Sequence, residues 1–485
     1  MMTTTSPTTT APPPSGSTPP RRGWLGPLLL RLHFYAGVFV GPFILVAALS
    51  GALYALTPQI ERAVYADELT AASGDGVPLP LADQVVAARA HVGDGPTLLA
   101  VRPAPEPGST TRVMFEGEDL GPSETRAVFV DPGTAEVQGD LTAYGTSGAL
   151  PLRTWVDYLH RNLHLGEPGR LYSELAASWL GVVALSGLVM WLIQLRRTRG
   201  RAKARRQMLR PGSGGTSYAR TRSRHLGIGI WVMAGALFLS ATGITWSTYA
   251  GANVGDLRAA LGWGTPAVGT TLDGAPAVVD EHAGHHGHGG GAGAEGDGVD
   301  YAPGAFDSVL AVAREVNVNT GQVEIKPPAE PGTAWVVQEI QRSFPTEVDA
   351  VAVDGRTMTV TDRVDFADFG LVAKLARWGI DLHMGSMFGL PNQLVLAALA
   401  TGIAAMVLWG YQMWWRRRPT RGRPGDAPAR GALTAVPWWG RVAVFAAAAL
   451  LGVLLPLMGL TLVVFLVVDV LLGLRARAAA ARSGG

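Results

Sequence analysis

The 485-residue sequence contains no cysteine, and only 16% of its residues are charged. Without cysteine there is no disulfide, thiolate zinc site or iron–sulfur cluster, so a resident metal or cofactor has to be held by histidine, methionine or carboxylate side chains. A soluble protein of this length normally has about a quarter charged residues. The shortage of charge, together with 48% hydrophobic residues, predicts an integral membrane protein.

Nucleotide-binding and nucleophile motifs are also missing. No P-loop, dinucleotide fingerprint or serine-nucleophile motif occurs in a fitting context. The chain therefore has no recognisable site for NAD(P)H or flavin, and electrons for a redox reaction have to come from a cytoplasmic or membrane donor. The apolar segments contain almost no carboxylates to couple ions, which makes a transporter the weaker alternative. No nucleic-acid partner is expected.

Hydrophobic residues are concentrated in long blocks that match the thickness of a lipid bilayer. Four blocks each have roughly the twenty residues needed for one crossing. A fifth block is too long for one crossing and is broken near Pro456 and Gly459, so it predicts a hairpin of two short spans. The predicted spans are TM1 (25–57), TM2 (164–196), TM3 (225–250), TM4 (383–416) and the TM5–TM6 hairpin (441–475).

Basic residues predict the orientation of these six spans. Lys and Arg are concentrated in the short segments 196–224 and 416–430, and such segments stay in the cytoplasm. Both termini are then cytoplasmic, and the long segments 58–163 and 251–382 lie outside. The remaining predicted segments are a disordered cytoplasmic tail (1–24), a basic cytoplasmic loop (197–224), a second cytoplasmic loop (417–440) and a C-terminal cytoplasmic tail (476–485).

Each long outer segment has the pattern of a small α+β module. An apolar-periodic stretch precedes β-prone runs, which meet at the turn signals Asp131-Pro132-Gly133-Thr134 and Asp354-Gly355. The order span, module, span therefore occurs twice, and LHLG at 163–166 corresponds to LHMG at 382–385. The predicted fold is a membrane all-α helical bundle with two extracytoplasmic α+β modules. The bundle has a four-helix core from the duplicated half plus a C-terminal two-helix hairpin. Such duplication commonly places a shared site where the halves meet.

This arrangement resembles the PepSY-associated transmembrane family of bacteria. The run VFVDPGTAEVQGDL at 128–141 is similar to the strand–turn–strand ending of a PepSY domain, with Ala135 in place of the usual glycine. Some family members resemble ferric-siderophore reductases of the bacterial inner membrane, which carry b-type haem between histidines of the bundle. The resemblance implies haem redox chemistry, location in the bacterial cytoplasmic membrane and a role in iron uptake.

Four histidines are paired by the repeat and form the predicted cofactor site. His33 and His225 lie at the cytoplasmic ends of TM1 and TM3, whereas His164 and His383 lie at the outer ends of TM2 and TM4. Neutral imidazole is a normal axial ligand of haem iron, so two pairs could hold two haems b. His160, four residues before His164 and on the same helical face, is a further candidate ranked after His164. The alternative is that all are interfacial residues without a ligand.

Glycines follow two of these histidines at helical spacing. Gly37 and Gly41 come after His33, and Gly229 comes after His225. They could admit a flat macrocycle against the helix backbone, but close helix packing is the favoured explanation, and the two are compatible.

A separate candidate metal site is a histidine-rich loop in the second outer segment. Its four imidazoles could chelate copper, zinc or nickel, or the loop could be a low-complexity insertion. The histidines are His282, His285, His286 and His288.

Two functions follow from these features. The first is a di-haem electron-transfer protein or reductase that passes electrons across the lipid bilayer to an extracytoplasmic small molecule or metal chelate, such as a ferric siderophore. The alternative is a non-enzymatic accessory protein whose modules bind a peptide, protein or metal, for example in copper handling.

Overall fold

The computed structural model describes residues 24–198, 208–210, 212, 216–272, 301–417 and 436–483. Most of the predicted N-terminal tail and parts of the two cytoplasmic loops lie outside these residues. So does the whole histidine-rich loop that contains His282, His285, His286 and His288, and its predicted metal site therefore remains a prediction.

The described part of the chain is mostly helical, with one antiparallel sheet. The helices are α1 (Leu25–Phe39), α2 (Gly41–Val64), α3 (Ala66–Leu69), α4 (Leu81–Val92), α5 (Pro151–Asn162), α6 (Glu167–Arg197), α7 (Ser217–Thr245), α8 (Tyr249–Ala260), α9 (Ala305–Val316), α10 (Leu371–Met384), α11 (Gly389–Arg416), α12 (Trp438–Leu454) and α13 (Pro456–Ser483). The strands are β1 (Leu98–Arg102), β2 (Thr111–Phe115), β3 (Glu124–Val130), β4 (Val137–Tyr144), β5 (Val323–Lys326), β6 (Trp335–Glu339), β7 (Ala350–Asp354) and β8 (Thr359–Val364).

Five helices of the described residues are long and apolar enough to cross a membrane. They are α2, α6, α7, α11 and the part of α13 from Pro456 to Arg475. The chain is therefore a multi-pass membrane protein. Helices α1 and α12 are apolar but shorter, with 15 and 17 residues. Helix α12 ends two residues before Pro456, and Gly452 meets Gly459 in the close contact between α12 and α13.

The predicted first span begins where α1 begins, at Leu25, but the structure interrupts it and extends its end. It consists of two helices, because Gly41 and Pro42 interrupt the chain after Val40, and a proline suits the first turn of a new helix. Helix α2 then continues beyond residue 57 to Val64 and has Pro58 in its interior.

Four of the long helices pack around a common apolar core. Helix α2 packs against α6 and α11, and α7 packs against the same two helices, while α1 lies along α6. Small residues allow the close approach: the Ser240 hydroxyl on α7 donates to the Ala177 carbonyl on α6 at 2.7 Å, beside Gly181. The residues Ala36, Ile44, Ala48, Ala176, Trp179, Val232, Ala236, Ile403 and Ala404 form the centre of this core.

The two LH-x-G segments terminate helices that precede the spans. Helix α5 ends with Leu163 in the left-handed conformation, and α10 ends with Gly385 in that conformation. Glycine adopts this conformation without steric cost, which explains its position after a helix. The sequence predicted that His164 and His383 begin the spans. In the structure both residues lie before α6 and α11 instead.

The eight strands form one continuous antiparallel sheet in the order β4-β3-β2-β1-β5-β6-β7-β8. The sequence predicted two modules, and the structure joins them where β1 pairs with β5. This pairing covers two strand edges that would otherwise have unpaired backbone groups. The predicted β-prone runs coincide with β2 to β8, whereas β1 was missed.

A buried ion pair crosses the junction between the two halves of the sheet. Arg102 on β1 contacts Glu324 on β5 at 2.5 Å, and both side chains are more than nine-tenths buried. Burial alone would raise the pKa of Glu324, but the charges of Arg102 and Lys326 outweigh it and lower the pKa to about 2. Glu324 is therefore ionised at neutral pH and ties the halves together.

The helices that cover the sheet also connect its two halves. Helices α4 and α9 lie on the same face and share one apolar core with residues from both halves. Asp307 on α9 accepts the backbone N–H groups of Leu81 and Ala82 at 2.8 and 3.0 Å, and so caps the first turn of α4.

Candidate functional site

The first candidate site is the span pair, His33 on α1 and His225 on α7. Their ring centroids are 6.2 Å apart, and the ring planes are nearly perpendicular at 87°. The sequence predicted that these two histidines would meet, and the structure places them together. Both rings are half-buried among helices of the bundle.

Hydrogen bonds on α6 fix the orientation of the His33 ring. Its Nδ1 lies 3.0 Å from the Val183 carbonyl and 3.1 Å from the Ser186 hydroxyl. Since a carbonyl only accepts, Nδ1 of the neutral ring carries the proton and Nε2 keeps its lone pair. A hydrogen bond at the other ring nitrogen is the usual support of a metal-ligating histidine.

The second candidate site is the sheet-side pair, His160 on α5 and His383 on α10. The two imidazoles are close enough to interact electrostatically. Tyr54 on α2 stacks on His160 with centroids 6.5 Å apart, and Trp246 lies 5.1 Å from His383. An apolar cluster that includes Tyr54 and Trp246 joins the helices around the pair.

Hydroxyl groups of the spans hold both rings of the sheet-side pair. Nδ1 of His160 lies 3.0 Å from the Ser50 hydroxyl on α2, and Nδ1 of His383 lies 2.5 Å from the Thr242 hydroxyl on α7. Three of the four paired histidines therefore have a hydroxyl at Nδ1. Nδ1 of His225 is buried and has no hydrogen-bond partner among the described residues.

His164 occupies a different environment from His160. It lies in the exposed turn between α5 and α6, with its ring packed on Trp155 at 4.9 Å and near Tyr158 at 6.1 Å. The geometry thus favours His160 over His164 as the partner of His383, which reverses the order inferred from the sequence. The reason is that the cap after α5 turns the chain outward before residue 164.

The spacing and donors of the span pair fit a metal held by two imidazoles. Metal–imidazole bonds are about 2 Å long, so two rings on opposite sides of one ion have centroids roughly 6 Å apart. A Cβ on Gly37, one turn after His33, would have no atom within 4 Å. By contrast, Gly41 packs against Tyr411, and Gly229 packs against Met406. Of the three predicted glycines, only Gly37 therefore borders open space.

Charged side chains cover the sheet-side pair on the side of the sheet. Arg342, in the segment between β6 and β7, lies 3.6 Å from Asp381, and Arg377 donates to Asp381 at 2.9 Å. Burial, followed by the charge of Arg377, lowers the pKa of Arg342 to about 10, so its guanidinium stays charged at neutral pH. Arg342, Tyr54, Asp157 and Met384 line a small crevice with the loop 144–149.

Sequence patterns did not reveal several residues of these sites. Ser50, Ser186 and Thr242 are hydroxyl residues inside apolar helices, where they also bond the backbone of the preceding turn. A polar residue within a span is a signal in itself, but its partner is visible only after the helices pack. His91 is a surface residue that bonds Asp140 at 3.1 Å and belongs to neither pair.

Comparison with protein families supports the membrane assignment. The chain matches the family described as the PepSY-associated TM region over residues 30–417, from within α1 to the end of α11. No curated protein matches the chain.

Proposed function

The chain belongs to the PepSY-associated transmembrane family, and from this premise we propose that it transfers electrons across the membrane through two haem centres. The family is linked to haem-binding electron transfer. The observation that carries the proposal is the span pair, two facing imidazoles with centroids 6.2 Å apart in an apolar bundle. His33 and His225 would hold one haem, and His160 and His383 the other.

Haem iron held by two imidazoles is saturated, and it supplies one-electron chemistry rather than oxygen binding. The protein contributes the fixed orientation of each ring. Val183 and Ser186 hold His33, while Ser50 and Thr242 hold His160 and His383. The apolar helices around the span pair would keep water away from it.

We propose an anionic ferric chelate, such as a ferric siderophore, as the acceptor on the side of the sheet. Arg342, which pairs with Asp381, lines the small crevice above the sheet-side pair, and its guanidinium charge favours an anionic acceptor at this surface. One electron from a cytoplasmic or membrane reductant converts Fe(III) to Fe(II). The reduced iron binds hard oxygen ligands less tightly, so the metal is released.

The function can be tested in vesicles that contain the purified full-length chain. An impermeant reductant is enclosed, ferric citrate is added outside, and an impermeant ferrous chelator reports Fe(II). We expect Fe(II) formation with the wild type and with His91→Ala, which changes only a surface histidine. We expect the rate of Fe(II) formation with His225→Ala to equal the rate with protein-free vesicles. Equal rates for His225→Ala and the wild type would contradict the proposal, and a colourless wild type would favour an accessory binding protein.

A further inference from the structure

Three carboxylates converge where β6 ends and β7 begins, in the second half of the sheet. One oxygen each of Glu339, Glu347 and Asp349 lies within 4.8 Å of the others. Glu339 ends β6, and Asp349 directly precedes β7. The segment 340–349 folds back on itself, because Gln341 and Glu347 form a β-bridge and the Glu339 N–H donates to the Asp349 carbonyl.

Buried oxygen atoms at this cluster have no hydrogen-bond partner. Glu339 is 2% exposed: its Oε1 accepts two backbone N–H groups, whereas its Oε2 is unpaired among the described residues. Thr346 is 5% exposed, and its hydroxyl is likewise unpaired. Oδ1 of Asn317 is also unpaired, while its amide nitrogen donates to Asp349 at 3.2 Å. Such unpaired acceptors are costly unless a ligand binds them.

The charge of the cluster is only partly offset by the described part of the chain, through the charge of Arg363 near Asp349. No Lys or Arg in that part forms an ion pair with any of the three carboxylates, and Arg363 beside them pairs with Asp365 at 2.6 Å. Burial, followed by the charges of Glu339 and Asp349, raises the pKa of Glu347. A bound dication would remove this repulsion.

We propose that Glu339, Glu347 and Asp349 bind a hard divalent cation of the calcium class. The donors are all oxygen atoms, which suit calcium rather than copper or zinc. The unpaired oxygens of Asn317 and Thr346 are further candidate donors.

The proposed cation would fix the segment that connects the sheet to the sheet-side pair. Within 340–349, the Phe344 N–H donates to the Met387 carbonyl at 2.8 Å, and Arg342 donates to the Thr146 hydroxyl at 2.6 Å. Arg342 also pairs with Asp381 on α10, the helix of His383. Calcium binding would thus fix the position of Arg342 beside the sheet-side pair. This inference stands whether or not the chain binds haem.

The test uses the purified full-length chain, stripped with EDTA and titrated with calcium. Calorimetry gives the affinity and stoichiometry, and thermal unfolding gives the shift in Tm, which rises when a ligand binds the folded state. Calcium is the probe because the imidazoles of the histidine-rich loop bind it poorly. Glu347→Gln removes one charged ligand from a partly exposed position, and Glu330→Gln is the matched control at an exposed position.

We expect the wild type and Glu330→Gln to bind one calcium per chain with a higher Tm. We expect Glu347→Gln to bind calcium at least about tenfold more weakly, since affinity follows the number of charged ligands. In EDTA, Glu347→Gln should unfold at the same Tm as the wild type or higher, because repulsion is relieved. Absence of calcium binding by the wild type, or equal binding by Glu347→Gln, would overturn the proposal.

Discussion

The span pair and the sheet-side pair are carried by different kinds of helix. His33 and His225 belong to helices of the apolar bundle, whereas His160 and His383 lie near the ends of α5 and α10, which join the sheet to the bundle. The position of the first pair depends on helix packing alone, and that of the second also depends on the sheet. Each pair can therefore be disturbed without the other.

The largest expected effect distinguishes the two histidines near the end of α5. His160→Ala should remove the sheet-side haem and leave the span-pair haem, so that haem per chain falls by about half. The matched variant His164→Ala should keep the full haem content, because that ring is exposed and packs on Trp155. Haem extracted into pyridine and counted against protein gives the answer. Loss of haem in His164→Ala but not in His160→Ala would contradict this assignment and would identify His164 as the partner of His383.

A smaller effect is expected from the ion pair that joins the halves of the sheet. Glu324→Gln leaves Arg102 buried without its partner, which typically costs about 3–5 kcal/mol. We expect a lower Tm and weaker retention of the sheet-side haem, with the span-pair haem unchanged. The exposed Glu330→Gln is the control.

The same ion pair predicts an acid dependence of stability. The pKa of Glu324 is about 2 in the folded chain, compared with its ordinary value of 4.5, so the folded state favours the ionised carboxylate. Its contribution is fully present above pH 4.5 and is lost as pH falls towards 2. As pH falls through this window, the Tm of the wild type should therefore decrease more steeply than the Tm of Glu324→Gln. Parallel curves for the two proteins would contradict this assignment.

The smallest expected effect concerns the hydroxyl groups at Nδ1. Thr242→Ala should weaken haem binding at the sheet-side pair roughly tenfold or more, and Ser186→Ala should weaken it less at the span pair, where the Val183 carbonyl still holds His33. Haem titration of the stripped proteins measures both affinities. Equal losses of haem affinity in the two variants would contradict this difference between the pairs.

The sequence predicted the features that depend on local patterns. The apolar blocks predicted the long helices, and the turn signals at Asp131 and Asp354 predicted the hairpins on either side of them. The repeat predicted that His33 and His225 meet. These features follow from periodicity and turn chemistry, which neighbouring residues determine.

Other features depend on contacts between distant segments. The β1–β5 pairing joins residues more than two hundred positions apart, and no local signal specifies it. The LH-x-G segments resembled the beginnings of spans, but left-handed residues within them, Leu163 and Gly385, end the preceding helices. The sequence pattern therefore favours His164, although the conformation of Leu163 turns it away from the bundle. The acidic cluster around Glu339 was missed because its members come together only across the folded-back segment.

The central claim is that two imidazole pairs hold two haems, and the absorption spectrum of the purified full-length chain tests it most directly. After expression with sufficient haem, we expect a Soret band and reducible b-type α bands, with two haems per chain in the wild type and one in His225→Ala. A wild-type protein that shows no such bands, or a His225→Ala variant with unchanged haem content, would contradict the account.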